Sequence, residues 1–350
     1  MATSIVAEPE EVVVGVDTHA DLHVAVVLSS LGARLGSRAV ATTVAGFREL
    51  ADWARGFGPV RCFGVEGTGS YGAALARHLR AAGHTVVEVV RPDRRTRRLQ
   101  GKSDPVDAEA AARAVLAGTA KGCPKTGDGR VEMIRSLRVA RRSALKARTQ
   151  ATNQLLALVL TSPEELRASL RGLSVPSLVR AAARFRPGPL VSPAAATKLA
   201  LRHLARRYAA LSAEIAELDR GLAMVVAEAA PALLALRGVG TDVAGALLVA
   251  AGDNPERLSS EAAFARLCGV APLPASSGKT NRHRLNRGGD RIANNALWRI
   301  VLVRMSGDPR TRNYVERRTK EGLSKKEIIR CLKRYVAREV YRRLVGLDEQ

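Results

Sequence analysis

Runs of β-branched residues open the chain. Val12-Val13-Val14-Gly15-Val16 and Val24-Ala25-Val26-Val27-Leu28 flank a short polar stretch, Asp17 to Asp21, the pattern of a β-hairpin with buried strands. A further short extended segment is expected near residues 38–43. Over 46–57 the spacing of Phe47, Leu50, Trp53 and Ala54 predicts an amphipathic helix. An apolar strand then ends at Glu66, followed by the turn Gly67-Thr68-Gly69-Ser70-Tyr71-Gly72, a helix over 73–82 and a strand over 86–90. Strands alternating with helices predict a mixed α/β sheet. After a basic loop, an Ala-rich helix is expected from about 103 to 117. Pro105 suits its first helical position and Asp104 its N-cap, and a three-residue step puts Asp104 and Asp107 on one side.

The middle of the chain changes period. Residues 131–160 read as a long helix carrying Ile134, Leu137, Leu145, Leu155 and Val159 among many arginines, and a Pro/Gly-punctuated section spans 162–193. Next, Leu204, Tyr208, Leu211, Ile215, Leu218, Leu222 and Val225 alternate steps of four and three, a coiled-coil seam. Pairing with the 131–160 helix and with a second copy of the chain are both open, and they can coexist. From 231 a helix, a Gly238-Val239-Gly240 turn and a second helix predict a helix-hairpin-helix-like element, whose backbone N–H groups can cradle phosphate. A polar loop over 272–281 leads into a basic helical tail. Three domains are expected: 11–127, α/β; 128–230, a helical coiled-coil connector; and 231–350, mainly α.

Charge narrows the function. Among 350 residues, 56 Lys/Arg against 33 Asp/Glu leave +23, and 20 Lys/Arg against 6 Asp/Glu fall between residues 279 and 343. Such an excess costs self-repulsion and is useful mainly for phosphate, so a polyanionic partner is expected. Candidate contacts are Arg94, Arg95, Arg97, Arg98 and Lys102 in the first basic loop, Gly238 and Gly240 in the hairpin, and Lys279, Arg282, Arg284 and Arg287 after the polar loop. Aromatic residues are 3% of the chain, which argues against recognition by base stacking. The four cysteines are scattered without a CxxC pair, arguing against structural zinc or a disulfide framework and for a reducing cytosol. No secretory signal pattern and no apolar run of about 18 residues is visible, so a cytoplasmic protein without a membrane span is expected.

Candidate chemistry resides in two constellations. Asp17, Glu66, Asp104 and Asp107 each have an ordinary structural explanation as strand-end, capping or helix-dipole acids. Together, a strand-end Asp, a strand-end Glu and a helix-start DxxD match the RNase H-like arrangement, in which converging acids hold Mg²⁺ or Mn²⁺ for phosphoryl transfer. The second constellation is Ala275-Ser276-Ser277-Gly278 followed by Lys279, Arg282, His283, Arg284 and Arg287. Ser-Ser-Gly is an ordinary turn; it is also a possible nucleophilic hydroxyl ringed by cations. His283 is a phosphate contact or a general base. The glycines around Asp17 and Thr68 also suggest an actin-like ATPase or sugar kinase, but no strong nucleotide-binding signature supports it.

In order, Val-Gly-Val-Asp17-Thr-His, Val-Glu66-Gly-Thr-Gly-Ser-Tyr, Lys-Ser-Asp104-Pro-Val-Asp107-Ala, Leu-Arg-Gly-Val-Gly, and Gly-Val-Ala-Pro with Ser-Ser277-Gly and Arg-Leu-Asn-Arg-Gly-Gly resemble the DEDD transposases of the IS-one-ten insertion-sequence family. The resemblance runs from about residue 12 to 345 and implies a RuvC-like (RNase H-like) N-terminal domain, a coiled-coil connector and a C-terminal transposase domain. It implies Asp17, Glu66, Asp104 and Asp107 as catalytic metal-site acids and Ser277 as the nucleophile that joins covalently to DNA. Ser277 is preferred because the family serine directly precedes glycine, and Ser276 stands where the family often has a longer polar side chain. The resemblance further implies donor and target DNA, a structured bridge RNA as guide, and a homo-oligomer, dimer to tetramer, in which acids and serine come from different protomers. Two other functions remain open on the residues alone: a RuvC-like metal-dependent nuclease without serine catalysis, and a non-enzymatic nucleic-acid-binding protein.

Overall fold

The computed structural model describes residues 10–89, 103–278, 283–284 and 286–346. The chain forms two compact units, one of residues 1–128 with 251–259, the other of 129–250 with 260–350.

The first unit is built on a five-stranded mixed sheet: β1 (Val12–Thr18), β2 (Leu22–Ser29), β3 (Arg34–Ala41), β4 (Val60–Glu66) and β5 (Val86–Val89), in spatial order β3-β2-β1-β4-β5. The β1/β2 and β2/β3 pairs are antiparallel; β1/β4 and β4/β5 are parallel. Strands buried on both faces explain the unbroken valine runs: β1 has no exposed residue. On one face lie α1 (Val44–Arg55) and α2 (Ala73–Ala81), packing Phe47, Leu50, Leu75 and Leu79 against Val12, Val14, Val16 and Phe63. α1 starts two residues before the expected helix, because the Thr43 hydroxyl accepts from the Gly46 N–H and caps it.

The opposite face is covered by α3 (Asp104–Leu116), through Ala108, Ala111, Ala112 and Val115. Small residues set this contact. A Cβ on Gly15 would stand 2.0 Å from the Ala108 carbonyl oxygen, and one on Gly64 2.6 Å from a Val115 methyl. The expectation of Asp104 as N-cap is corrected: Ser103 is the cap, with extended backbone, and Asp104 and Asp107 both lie in the first turn. There they face the positive end of the helix dipole.

The second unit is helical. α4 (Arg130–Thr161) and α7 (Pro193–Ala229) run antiparallel, tied by Arg130–Glu228, Arg141–Asp219 and Arg148–Ser212. The long 204–225 helix therefore pairs within the chain. Ala195, Leu201, Ala205, Ile215, Leu222 and Val226 are the buried positions of α7; Leu204, Tyr208, Leu211, Leu218 and Val225 of the expected seam are only half-buried. The Pro/Gly-punctuated section is not irregular throughout: α5 (Glu164–Leu170) and α6 (Val175–Ala183) fold over the end of the pair onto Leu155 and Leu201.

The remainder comprises α8 (Pro231–Leu234), α9 (Thr241–Ala251), α10 (Glu261–Leu267), the two-residue strands β6 (Leu273–Pro274) and β7 (His283–Arg284), α11 (Arg291–Gly307), α12 (Pro309–Lys320) and α13 (Lys325–Leu344). The expected polar loop over 272–281 is corrected at its start: Leu273–Pro274 forms β6, which pairs antiparallel with β7, and Ser276 and Ser277 follow β6. Among the described residues no helix is long and apolar enough to cross a membrane.

Candidate active site

The sheet register decides where the acids meet. Val16 is opposite Val65 in the parallel β1/β4 pair, so Asp17 and Glu66 follow at the same end of neighbouring strands. Side chains alternate along a strand, which sends Asp17 to the same face as Val13, and Glu66 to the same face as Cys62, the face that α3 covers. Because Ala108 crosses Gly15, the first turn of α3 lies over that strand end. Asp17, Glu66 and Asp107 are buried and Asp104 is exposed. Thr18 braces the arrangement from behind, its hydroxyl donating to the Glu66 carbonyl at 2.9 Å.

Asp17 feels the other three carboxylates. Burial holds the Asp17 pKa above the usual carboxylate range; His19 opposes this, while the charges of Glu66, Asp107 and Asp104 add to it. Four anions around a buried strand end suit a divalent cation, which would relieve that repulsion. Asp17, His19 and Asp104 offer ligand atoms all within 4.8 Å of one another. His19 Nε2 is 3.2 Å from Asp17 Oδ2 and 3.4 Å from Asp104 Oδ1.

His19 is a residue the sequence reading passed over; its signal was the Asp-x-His spacing at a strand end. A second such group adjoins the site. Thr68, next but one to Glu66, donates to Glu88 Oε1 at 2.9 Å, and Arg257 Nη2 holds Glu88 Oε2 at 3.2 Å. Arg257 also donates to the Cys123 carbonyl, and Asn254 to that of Pro124, so the 251–259 segment is stitched to this unit by side chains.

In the other unit, Ser276 and Ser277 are exposed just after β6, with Gly278 in the left-handed region at φ +54. Leu273 pairs with Arg284 and Pro274 with His283. His283 and Arg284 also line a cleft of about 920 Å³ that receives Arg318, Arg330, Lys333, Arg334 and Arg338 from α12 and α13. Those helical cations were seen in the sequence only as a charge excess. Lys333 is buried at the cleft and donates to Asn294 Oδ1 at 2.9 Å; Asn294 in turn donates to the Cys268 carbonyl at 2.8 Å. Burial, with help from Arg330, lowers the Lys333 pKa. Gly238 sits at φ +85 against α11, where Arg304 Nε donates to the Arg237 carbonyl at 2.9 Å, whereas the Cβ side of Gly240 is open. Arg287 is exposed. Arg94, Arg95, Arg97, Arg98, Lys102, Lys279 and Arg282 lie outside the described residues.

Comparison with known proteins agrees with this order of elements. Residues 14–162 match a transposase family model of the DEDD IS110 type, and residues 230–316 match the model described as transposase, IS116/IS110/IS902 family. The chain is similar to the uncharacterized 43.6 kDa protein of insertion element IS110 from Streptomyces coelicolor A3(2), with 32% identity over 134 residues. That alignment covers 38% of this chain and 31% of the relative. With a matched N-terminal model carrying the acids and a matched C-terminal model carrying the serines, this chain belongs to the IS110 family of transposases.

Proposed function

We propose that the chain is a DNA transposase/recombinase that breaks and rejoins strands through a phosphoserine link. The observation that carries this reading is the gathering of Asp17, Glu66, Asp104 and Asp107 at one end of the sheet, in a chain whose other half bears an exposed serine among cations. The strand order β3-β2-β1-β4-β5 supports an RNase H-like, RuvC-like assignment of residues 11–127. The four acids would hold Mg²⁺ or Mn²⁺, which when bound supplies charge stabilisation for a phosphoryl group in transfer.

The residues divide the work. The Ser277 Oγ forms a bond to phosphorus as the bond from phosphorus to a deoxyribose oxygen breaks, and the serine proton ends on the released sugar hydroxyl. Attack by another strand's hydroxyl reverses the exchange and restores the serine, so the number of phosphodiesters is unchanged and no ATP is consumed. Arg284 and Arg287 neutralise charge near the reacting phosphate. Acids of one copy act with the serine of another in a dimer-to-tetramer assembly. Sequence is read by a structured guide RNA pairing with donor and target DNA, while the basic surfaces hold backbones. The low aromatic content supports that division, since the protein has few platforms for bases.

The test is plasmid recombination with Mg²⁺ and the element's flanking non-coding RNA. Ser277→Ala abolishes strand exchange and the covalent adduct seen on denaturing gels, while DNA and RNA binding survive; Asp17→Asn abolishes both reactions. Exchange at the wild-type level by Ser277→Ala overturns the proposal. Hydrolysed ends without an adduct would make the protein a metal-dependent nuclease.

A further inference from the structure

Among the described residues, His19 is the nitrogen donor that joins Asp17 and Asp104 in a group able to hold a metal ion. Its side chain is 48% exposed, so it fills no core. It reaches back over the strand end instead, with one ring nitrogen near Asp17 and Asp104 together. Bonds of about 2.1 Å at right angles place neighbouring donors about 3.0 Å apart around an octahedral cation. Separations of 3.2 and 3.4 Å from Nε2 to the two carboxylates are close to that edge length. Without a cation, a ring N–H at this point can bridge the two acids; with one, the same nitrogen is already directed where a ligand belongs.

Resting on the metal-site reading above, we propose that His19 Nε2 is a direct ligand, with Asp17 and Asp104, of one divalent cation, and that it biases the site toward Mn²⁺-type cations over Mg²⁺. Imidazole is a softer donor than carboxylate. Mg²⁺ prefers an all-oxygen shell, whereas later divalent ions accept nitrogen readily. Asp17 is held by β1, and Asp104 by the first turn of α3. His19 immediately follows β1, in the tight turn to β2.

The test uses the full-length, metal-stripped protein and Mn²⁺ alone. Pulsed electron paramagnetic resonance of the Mn²⁺ complex reads ¹⁴N coupling from a coordinated imidazole. Free Mn²⁺ measured by its room-temperature signal, and competition with Mg²⁺, give the two affinities. The expected result is ¹⁴N coupling in the wild type and none in His19→Gln. In that variant Mn²⁺ affinity falls at least tenfold and Mg²⁺ affinity less than threefold. Circular dichroism checks that His19→Gln folds, as an exposed side chain should allow. Absence of ¹⁴N coupling in a wild-type complex that Asp17→Asn abolishes overturns the His19 ligand alone. Equal Mn²⁺ binding by wild type and Asp17→Asn overturns the metal-site reading as well.

Discussion

Replacing a buried acid usually destabilises a protein; here Asp17→Asn should do the opposite. Asp17 is 7% exposed and sits among three further carboxylates. Its ligand oxygen lies within 4.8 Å of one on Asp104. At that distance two unit charges repel by ~3.5 kcal/mol with an effective dielectric of about 20 and ~0.9 kcal/mol in water. Asp104 is half-exposed and His19 lies between, so the lower figure governs, and the gain from removing the charge is about 1 kcal/mol. For a unit of this size that is a rise in Tm of about 4 °C. The sign follows from linkage: a carboxyl whose pKa is raised by folding contributes stability that is present at low pH and lost as pH rises through its folded value, so at neutral pH its charge is a net cost. The assay is thermal unfolding followed by Trp53 fluorescence. The chain has two tryptophans, so a Trp298→Phe background leaves Trp53, on α1, reporting the α/β unit. In EDTA the Asp17→Asn protein melts higher than its parent. With Mg²⁺ at ten times its Kd the parent gains about 1.4 kcal/mol and the variant gains little, so the order narrows or reverses. A variant that melts lower in EDTA and responds to Mg²⁺ as the parent does would refute the reasoning.

Gly15→Ala would drive a methyl into the Ala108 carbonyl and the Ala112 amide of α3; urea unfolding should show a loss of about 3 kcal/mol, together with weaker Mn²⁺ binding, and unchanged stability would contradict the close packing of helix on strand. In the helical unit, Asp242 is gripped by Arg299 and by Arg138 at 2.6 Å; burial raises its pKa, but the two guanidinium groups outweigh that and leave it lowered. Its contribution is therefore present above about pH 4 and lost as pH falls through the depressed value, and an acid titration followed by circular dichroism should show Asp242→Asn less stable at neutral pH with a shallower acid limb. Finally, Glu88→Gln and Arg257→Ala should be non-additive by about 1 kcal/mol in a double-mutant cycle, since both act through one partly buried pair; additive effects would mean that Arg257 does not hold Glu88 and, through it, Thr68.

Much of the α/β unit was legible because its signals are local. Two faces of burial demand valine runs, and strand-end acids stand out against apolar neighbours. The candidate acids stood out as strand-end and helix-start positions, and the family resemblance singled them out as a set. The helix boundaries were less secure, since Thr43 and Ser103 cap their helices from positions that carry no hydrophobic signal.

Other features are decided only when distant segments meet. That the long helix over 193–229 pairs within the chain depends on Leu155, Leu201 and the α5–α6 fold-over, and a heptad seam cannot choose its partner. The cleft cations Arg330, Lys333, Arg334 and Arg338 read in sequence as a uniformly basic helix; the tertiary fold selects which side of α13 faces β7. Arg257 belongs by sequence to the C-terminal half, yet its partner Glu88 lies 169 residues earlier. His19 shows the same division most plainly. Its residue type and its distance from Asp17 are sequence facts, but only the crossing of α3 over β1 brings Asp104 to the same nitrogen, because a donor set closes in space and not along the chain.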